Sequence, residues 1–159
     1  MSESSSIDIC VADPLALEIT WKDGEVTALK LTWAEGRTRS VATEAGKAVQ
    51  AALEAYVSGG QADWPKLPFA WGKASDFSRR VLEELARVPA GQPVSYGWLA
   101  AKAGRPKAAR AVGRVMASNP FPLIYPCHRV VGAKGALTGF GPGIDMKKYL
   151  LELEGAASR

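Results

Sequence analysis

Apolar and polar residues alternate over Ile7-Asp8-Ile9-Cys10-Val11, the period of a half-buried strand. Two further runs, Leu15 to Trp21 and Val26 to Trp33, also read as strands. Between them, Lys22-Asp23-Gly24-Glu25 carries the Asp-Gly pair that favours a tight hairpin turn. The period then changes. Ala48, Ala52, Ala55 and Tyr56 recur at roughly helical spacing over 43–57, and Ser58-Gly59-Gly60 ends the run. A sheet followed by a helix predicts a small α/β lobe, with Trp21 and Trp33 in its core. Gln61 to Lys73 is rich in Pro and Trp and has no period, which predicts a connection between lobes.

Helical spacing resumes at Asp76, where Phe77, Val81, Leu82 and Leu85 form an apolar stripe behind Ser75 as N-cap. Pro89-Ala90-Gly91-Gln92-Pro93 breaks it. Ser95 can cap a short helix from Tyr96 to Ala103, ended by Gly104, and Pro106 suits the first turn of another reaching about Ser118. Two short helices joined by a Gly turn predict a helix-turn-helix. On the second, Val112, Val115 and Met116 can face inward, while Arg110, Gly113, Arg114 and Ala117 share the other face. Two arginines among residues of little bulk suit close approach to DNA. Asn119-Pro120 ends that helix, and Phe121 to Tyr125 reads as a short buried run. Gly132, Gly135, Gly139, Gly141 and Gly143 predict a flexible loop of close approach. A last helix follows from Ile144 to Glu154, with Met146, Leu150 and Leu153 as its buried stripe and Gly155 after it.

Charge divides the chain unevenly. Residues 1–84 hold nine Lys and Arg against thirteen Asp and Glu. From Leu85 to Ile144 there is no acid, and the basic residues are Arg87, Lys102, Arg105, Lys107, Arg110, Arg114, Arg129 and Lys134. An acidic front and a basic back predict two lobes, the second facing a polyanion. The 159 residues suffice for one domain or two small ones. Cys10, Cys127 and a single histidine are too few for a structural zinc site or a disulfide framework, and free thiols fit a reducing cytosol. No apolar run approaches membrane-spanning length, and Met1 to Ser6 lacks a signal-peptide pattern. A cytoplasmic protein is expected, nuclear if the source is eukaryotic.

Within the basic stretch stands Pro126-Cys127-His128-Arg129-Val130. A thiolate is the nucleophilic form of cysteine, and both neighbouring positive charge and a nearby base favour it. A thiol beside an imidazole, in a segment charged to lie on phosphate, predicts sulfur chemistry performed on nucleic acid.

The run from Val94 to Gly155 resembles the C-terminal domain of the O6-alkylguanine-DNA alkyltransferases, also called methylated-DNA–protein-cysteine methyltransferases. The matching pieces are Ser95-Tyr96-Gly97, Pro106 to Gly113, Asn119-Pro120, the Pro-Cys-His-Arg-Val core, Gly139-Phe140-Gly141, and Leu150 to Gly155, in order and at agreeing spacing. The resemblance implies an RNase-H-like front lobe over 1–70, a small antiparallel sheet plus helix that supports the rest. It implies a mostly α-helical, winged-helix-like helix-turn-helix domain over 75–159 that binds DNA and accepts the alkyl group. The activity it implies is irreversible, single-turnover transfer of an alkyl group from O6 of guanine, or O4 of thymine, to the protein's own cysteine.

By the same resemblance Cys127 is the acceptor, His128 deprotonates it through a water, and Glu154 orients the imidazole. Asn119 braces the water and the turn, and Tyr96 donates to the departing base. Met116, Val130, Phe140, Gly141 and Lys147 belong to the substrate pocket. Ser95, Ala109, Arg110, Gly113 and Arg114 meet DNA from the minor groove, with Arg110 filling the stack vacated by a flipped base. The implied partner is double-stranded DNA with alkylated bases. No cofactor, metal or membrane is implied, and a monomer is expected.

The chain departs from the family pattern at several places. Arg105 stands where many relatives carry an Asn helix cap, which predicts a weaker cap or a phosphate contact. Phe140 replaces a Tyr, and Gly141-Pro142-Gly143 stiffens the pocket loop. The front lobe lacks the ligands with which some relatives hold zinc. Two rivals come from other classes. An alkyltransferase-like lesion binder would carry Trp in place of Cys127. A helix-turn-helix regulator using Cys127 as a sensor would need a further domain.

Overall fold

The computed structural model describes residues 4–72 and 74–156. The first residues of the polar N-terminus, the last residue of the aperiodic connection and the end of the second predicted domain lie outside them. The chain forms two compact units, divided between Trp71 and Gly72.

In the first unit, β1 (Ser5–Ala12), β2 (Leu15–Lys22) and β3 (Glu25–Trp33) form an antiparallel sheet in that order. The Asp23-Gly24 turn joins β2 to β3 with both residues at positive φ, 51° and 82°, the twist a two-residue hairpin favours. Helix α1 (Glu44–Gly59) follows, capped by the Thr43 hydroxyl on the Gly46 amide and ended by Gly60 at φ 74°. Its buried stripe is Val49, Ala52, Leu53 and Tyr56; Ala48 and Ala55, expected on that stripe, are exposed. Trp21 is buried as expected, but Trp33 is 38% exposed at the end of β3.

β1 is half-buried, and its inner face is the one that carries Asp8 and Cys10. Ile7 is 51% exposed, while Asp8 and Cys10 face inward and are buried. Asp8 is the cause. Its carboxylate accepts from the Ala42 amide (2.8 Å), the Thr43 hydroxyl (2.5 Å) and Trp21 Nε1 (2.9 Å), tying β1 to the start of α1. Burial works to raise this carboxyl, but those donors overcome it and hold it below its usual value. The contact is close: a Cβ at Gly46 would lie 2.5 Å from Asp8 Oδ2, so only glycine fits there. The aperiodic 61–72 stretch is no free linker. Val26 donates to the Pro68 carbonyl and accepts from the Ala70 amide, so this segment runs beside β3 within the first unit.

The second unit comprises α2 (Asp76–Leu85), β4 (Val94–Ser95), α3 (Tyr96–Lys102), α4 (Ala109–Ala117), β5 (Val130–Val131) and α5 (Ile144–Leu153). Ser75 and Ser95 cap α2 and α3 as their positions predict, each worth about 1 kcal/mol. Helices α2, α3 and α4 pack on one another through Val81, Leu82, Leu85, Leu99, Val112 and Val115, all buried. Helix α4 starts three residues later than Pro106 suggests. Residues 106–107 form a turn, and Ala108 occupies the N-cap without a side-chain bond. Arg105 is therefore not at the cap; its guanidinium lies 4.7 Å over the Phe77 ring. In α5 the buried side chains are Met146, Lys147, Leu150 and Leu151, and Leu153 is only half-buried. Among the described residues no helix is long and apolar enough to cross a membrane.

Candidate functional site

Cys127 opens a single 3-10 turn, Cys127–Arg129, that runs straight into β5. That short strand pairs in parallel with β4, Val94 with Val130 and Ser95 with Val131. The pairing brings Tyr96, the first residue of α3, beside the segment that carries the cysteine. Ahead of it, Asn119 stitches the 119–125 loop: its Nδ2 donates to the Tyr125 carbonyl (2.9 Å) and its Oδ1 accepts from the Phe121 amide (2.9 Å). The loop turns at Leu123, whose φ is 76°.

The thiol is 7% exposed. Burial pushes it above its ordinary value, while the Asn119 side chain and the Lys147 ammonium pull the other way. Neighbouring positive charge was expected to favour the thiolate, but here desolvation outweighs it. At neutral pH Cys127 rests protonated, so its reactivity depends on a base.

His128 is fully buried, and its Nε2 lies 2.7 Å from Glu154 Oε2. Burial also works to raise Glu154, yet the bonds from His128 and Arg129 hold it down at about 2. Arg129 grips the carboxylate twice: Nε donates to Oε1 (2.9 Å) and Nη2 to Oε2 (3.0 Å), while Nη1 donates to the Val88 carbonyl (2.6 Å). Desolvation lowers His128, more than the Glu154 carboxylate raises it. His128 is thus neutral at rest. An ionised carboxylate only accepts, so Nε2 carries the proton and Nδ1 the lone pair. Nδ1 is buried and has no partner among the described residues. The arrangement is a neutral base held in one tautomer by an anion that is itself neutralised by arginine.

Lys147 is buried, and its Nζ donates to the Val130 carbonyl (2.7 Å), with Thr138 O and Oγ1 each at 3.4 Å. Tyr96 shares a 2.5 Å hydrogen bond with Thr138 Oγ1. Phe140 stands edge-on to His128 at 6.3 Å between centroids. Met116 is half-buried on α4. Among the loop glycines Gly132 is in close approach, since a Cβ there would lie 2.8 Å from Thr138, whereas at Gly139, Gly141 and Gly143 it would meet nothing within 4 Å.

On α4, Arg110, Arg114 and Ala117 are exposed, with Gly113 and Ala109 half-buried. A Cβ at Gly113 would meet no atom, so this face is open. Ser95 is exposed, but its hydroxyl is engaged by the Trp98 amide. Of the eight basic residues in the acid-free stretch, Arg129 alone turns from solvent toward the carboxylate of Glu154, which caps the end of α5. Reading the sequence assigned it to the basic surface, and only its adjacency to His128 hinted otherwise. Thr138 carried no signal at all.

A depression of about 610 Å³ lies elsewhere on this unit, lined by Val94, Ser95, Gly132, Lys134, Leu137 and Lys148 among others, but not by Cys127, His128 or Glu154. Among the described residues no group of three or more His, Cys, Asp or Glu is placed to hold a metal.

Residues 76–156 match the family model described as the 6-O-methylguanine DNA methyltransferase DNA-binding domain, more than half of the chain. The chain belongs to the 6-O-methylguanine-DNA methyltransferase family. A methylated-DNA–protein-cysteine methyltransferase of Shigella flexneri is 42% identical over 121 residues, covering 76% of this chain and 70% of the relative. The crystal structure of the Mycobacterium tuberculosis O6-methylguanine methyltransferase superposes with a TM-score of 0.76 at 32% identity, covering 98% of this chain and 96% of that one. The same organism's OGT in complex with DNA gives 0.73 at 34% identity, covering 92% and 90%. The likeness therefore spans both units of this methyltransferase, and its enzyme class is that of a methylated-DNA–protein-cysteine S-methyltransferase.

Proposed function

We propose that the chain repairs duplex DNA by moving an alkyl group from O6 of guanine, and from O4 of thymine, onto Sγ of Cys127 in one irreversible turnover. The reading rests above all on the buried His128–Glu154–Arg129 cluster next to a protonated thiol, with His128 Nδ1 unpartnered. The thiol proton passes through a water to Nδ1. Sulfur attacks the alkyl carbon, the carbon–O6 bond breaks, and its electron pair stays on the purine. Tyr96 donates to the base as that charge develops. Asn119 and the Lys147 ammonium stabilise the thiolate, as both already oppose the rise that burial causes in its pKa. Met116, Val130, Phe140 and Gly141 wall the pocket. The product is a thioether, which this site offers no means to cleave, so each molecule acts once.

In this reading α3 and α4 are a helix-turn-helix in a winged-helix-like domain over 75–159. An RNase-H-like domain over 1–70 supports it. The outer face of α4, with Ala109, Arg110, Gly113 and Arg114, enters the minor groove beside Ser95. The low bulk of Gly113 and Ala117 suits that narrow space. The target base is flipped out at a cost of a few kcal/mol, and Arg110 fills the gap. The protein works as a monomer without a cofactor, wherever the cell keeps its DNA.

Incubation with one equivalent of duplex containing O6-methylguanine, followed by weighing of the intact protein, tests the reading. A gain of one methyl per chain is expected. Tight binding with no mass change would make the chain a lesion binder instead.

The finger has its own test. Arg110→Ala should slow repair of methylated duplex about ten- to a hundredfold, the scale of a lost stacking contact of roughly 1–3 kcal/mol. Reaction with the free alkylated base, which is never stacked, should barely change. Arg114→Ala should instead weaken binding and flatten its salt dependence, as loss of a phosphate contact does. Equal slowing of base and duplex by Arg110→Ala would rule the finger out.

A further inference from the structure

The geometry points to Thr138 as the residue that aims the Tyr96 hydroxyl at the substrate base. This inference rests on the proposed role of Tyr96 as donor to the departing purine. Two groups meet at the Thr138 hydroxyl oxygen. Lys147 Nζ lies 3.4 Å from Thr138 Oγ1, and the Tyr96 hydroxyl lies 2.5 Å from it. Lys147 is anchored by a shorter bond to the Val130 carbonyl (2.7 Å), so it is held in place rather than free to swing away.

The directions of these bonds follow from what each group can do. An ammonium has only protons to give, so at Oγ1 it can only donate. A threonine hydroxyl has one proton and two lone pairs. With a lone pair of Oγ1 turned to the ammonium, its proton is free to go to the tyrosine oxygen. The tyrosine then accepts from Thr138 and keeps its own O–H for a second partner. The chain of donors runs Lys147 to Thr138 to Tyr96 to the base. The contrary direction would spend the Tyr96 proton on Thr138 and leave nothing for the purine. It would also place two donors, one of them cationic, on the same threonine oxygen.

Donors in series polarise one another, and the effect is larger in a site with little water. A tyrosine that accepts from such a chain is a better donor as negative charge grows on the purine. Lys147 therefore acts at both ends of the reaction, lowering the thiol through space and biasing the leaving-group donor through Thr138. Thr138 is a positioning residue, since it acts on the base only through Tyr96. Gly132 supports it: a Cβ there would press on Thr138 Cγ2 at 2.8 Å and shift the hydroxyl.

Thr138→Val keeps the shape and removes the oxygen; Thr138→Ser restores the oxygen. Single-turnover transfer from duplex O6-methylguanine should fall about tenfold in Thr138→Val, the scale of one oriented hydrogen bond, and recover in Thr138→Ser. Alkylation of Cys127 by iodoacetamide, which has no purine to stabilise, should stay at the wild-type rate in both. In a Tyr96→Phe background, Thr138→Val should add nothing further. A fully additive loss there, or iodoacetamide slowed as much as repair, would overturn the role of Thr138 while leaving Tyr96 as donor. Wild-type repair by Tyr96→Phe alone would overturn the donor role, and this inference with it.

Discussion

Cys127→Ser should abolish alkyl transfer altogether while binding to methylated duplex survives. Serine nearly matches cysteine in size, so the packed turn before β5 is kept. A hydroxyl, however, is far less acidic than a thiol, and its oxygen is a much poorer nucleophile toward an alkyl carbon. Affinity should persist because the proposed binding residues lie on the exposed face of α4, not at the buried thiol. Cys10→Ala is the matched control, and it should transfer at the wild-type rate. Cys10 is fully buried, its Sγ–H reaches toward the Gly46 carbonyl at 3.6 Å, and burial pushes it up to about 12. Peptide mapping of alkylated protein reads the result directly. Alkyl groups recovered on the peptide containing Cys10, or silence in Cys10→Ala, would show that the acceptor is misassigned.

The second large effect concerns the base. His128→Asn should slow transfer by about 10²- to 10⁴-fold, the usual contribution of a positioned proton acceptor. Glu154→Gln should slow it too, because the carboxylate both fixes the tautomer and sustains the basicity of the imidazole against its burial. The two act as one unit, so the double variant should be little slower than the worse single one. Each should also raise the apparent pKa of Cys127, followed through the pH dependence of thiol modification. Glu154→Gln leaves the Arg129 guanidinium short of its charge partner, so its stability should be measured beside its rate. Fully additive rate losses would reduce Glu154 to a structural residue.

The pH profile of the wild-type protein follows from the same geometry. The active form has His128 neutral, and burial depresses its pKa below 6.5. Transfer should therefore hold at pH 6.5 and fall only as the pH drops through that lower value. Glu154 stays ionised across this window because the bonds from His128 and Arg129 hold it at about 2. An acid limb centred above 6.5 would contradict a neutral, buried base.

What could be read from the sequence was decided by near neighbours. The β2–β3 hairpin follows from Asp23-Gly24, two residues that tolerate positive φ side by side. Helices α2 and α3 begin where Ser75 and Ser95 can cap them, a contact spanning three residues. The Pro126 to Val130 run and the short motifs around it carried the family resemblance because each is contiguous. What the sequence did not disclose depends on partners far along the chain. Alternation in β1 marks a half-buried strand without saying which face is buried, and Asp8 takes the inner one by meeting the start of α1 some 34 residues away. Arg129 reads as one more cation for phosphate until α5 brings Glu154 back across 25 residues. Thr138 has no marked neighbour in sequence, and it matters only because the loop folds it onto Tyr96 from 42 residues off. The resting protonation of Cys127 lies beyond the sequence for the same reason. Sequence shows which charges lie nearby, whereas desolvation depends on how many atoms of the whole fold close over the sulfur, and at this thiol desolvation is the larger effect.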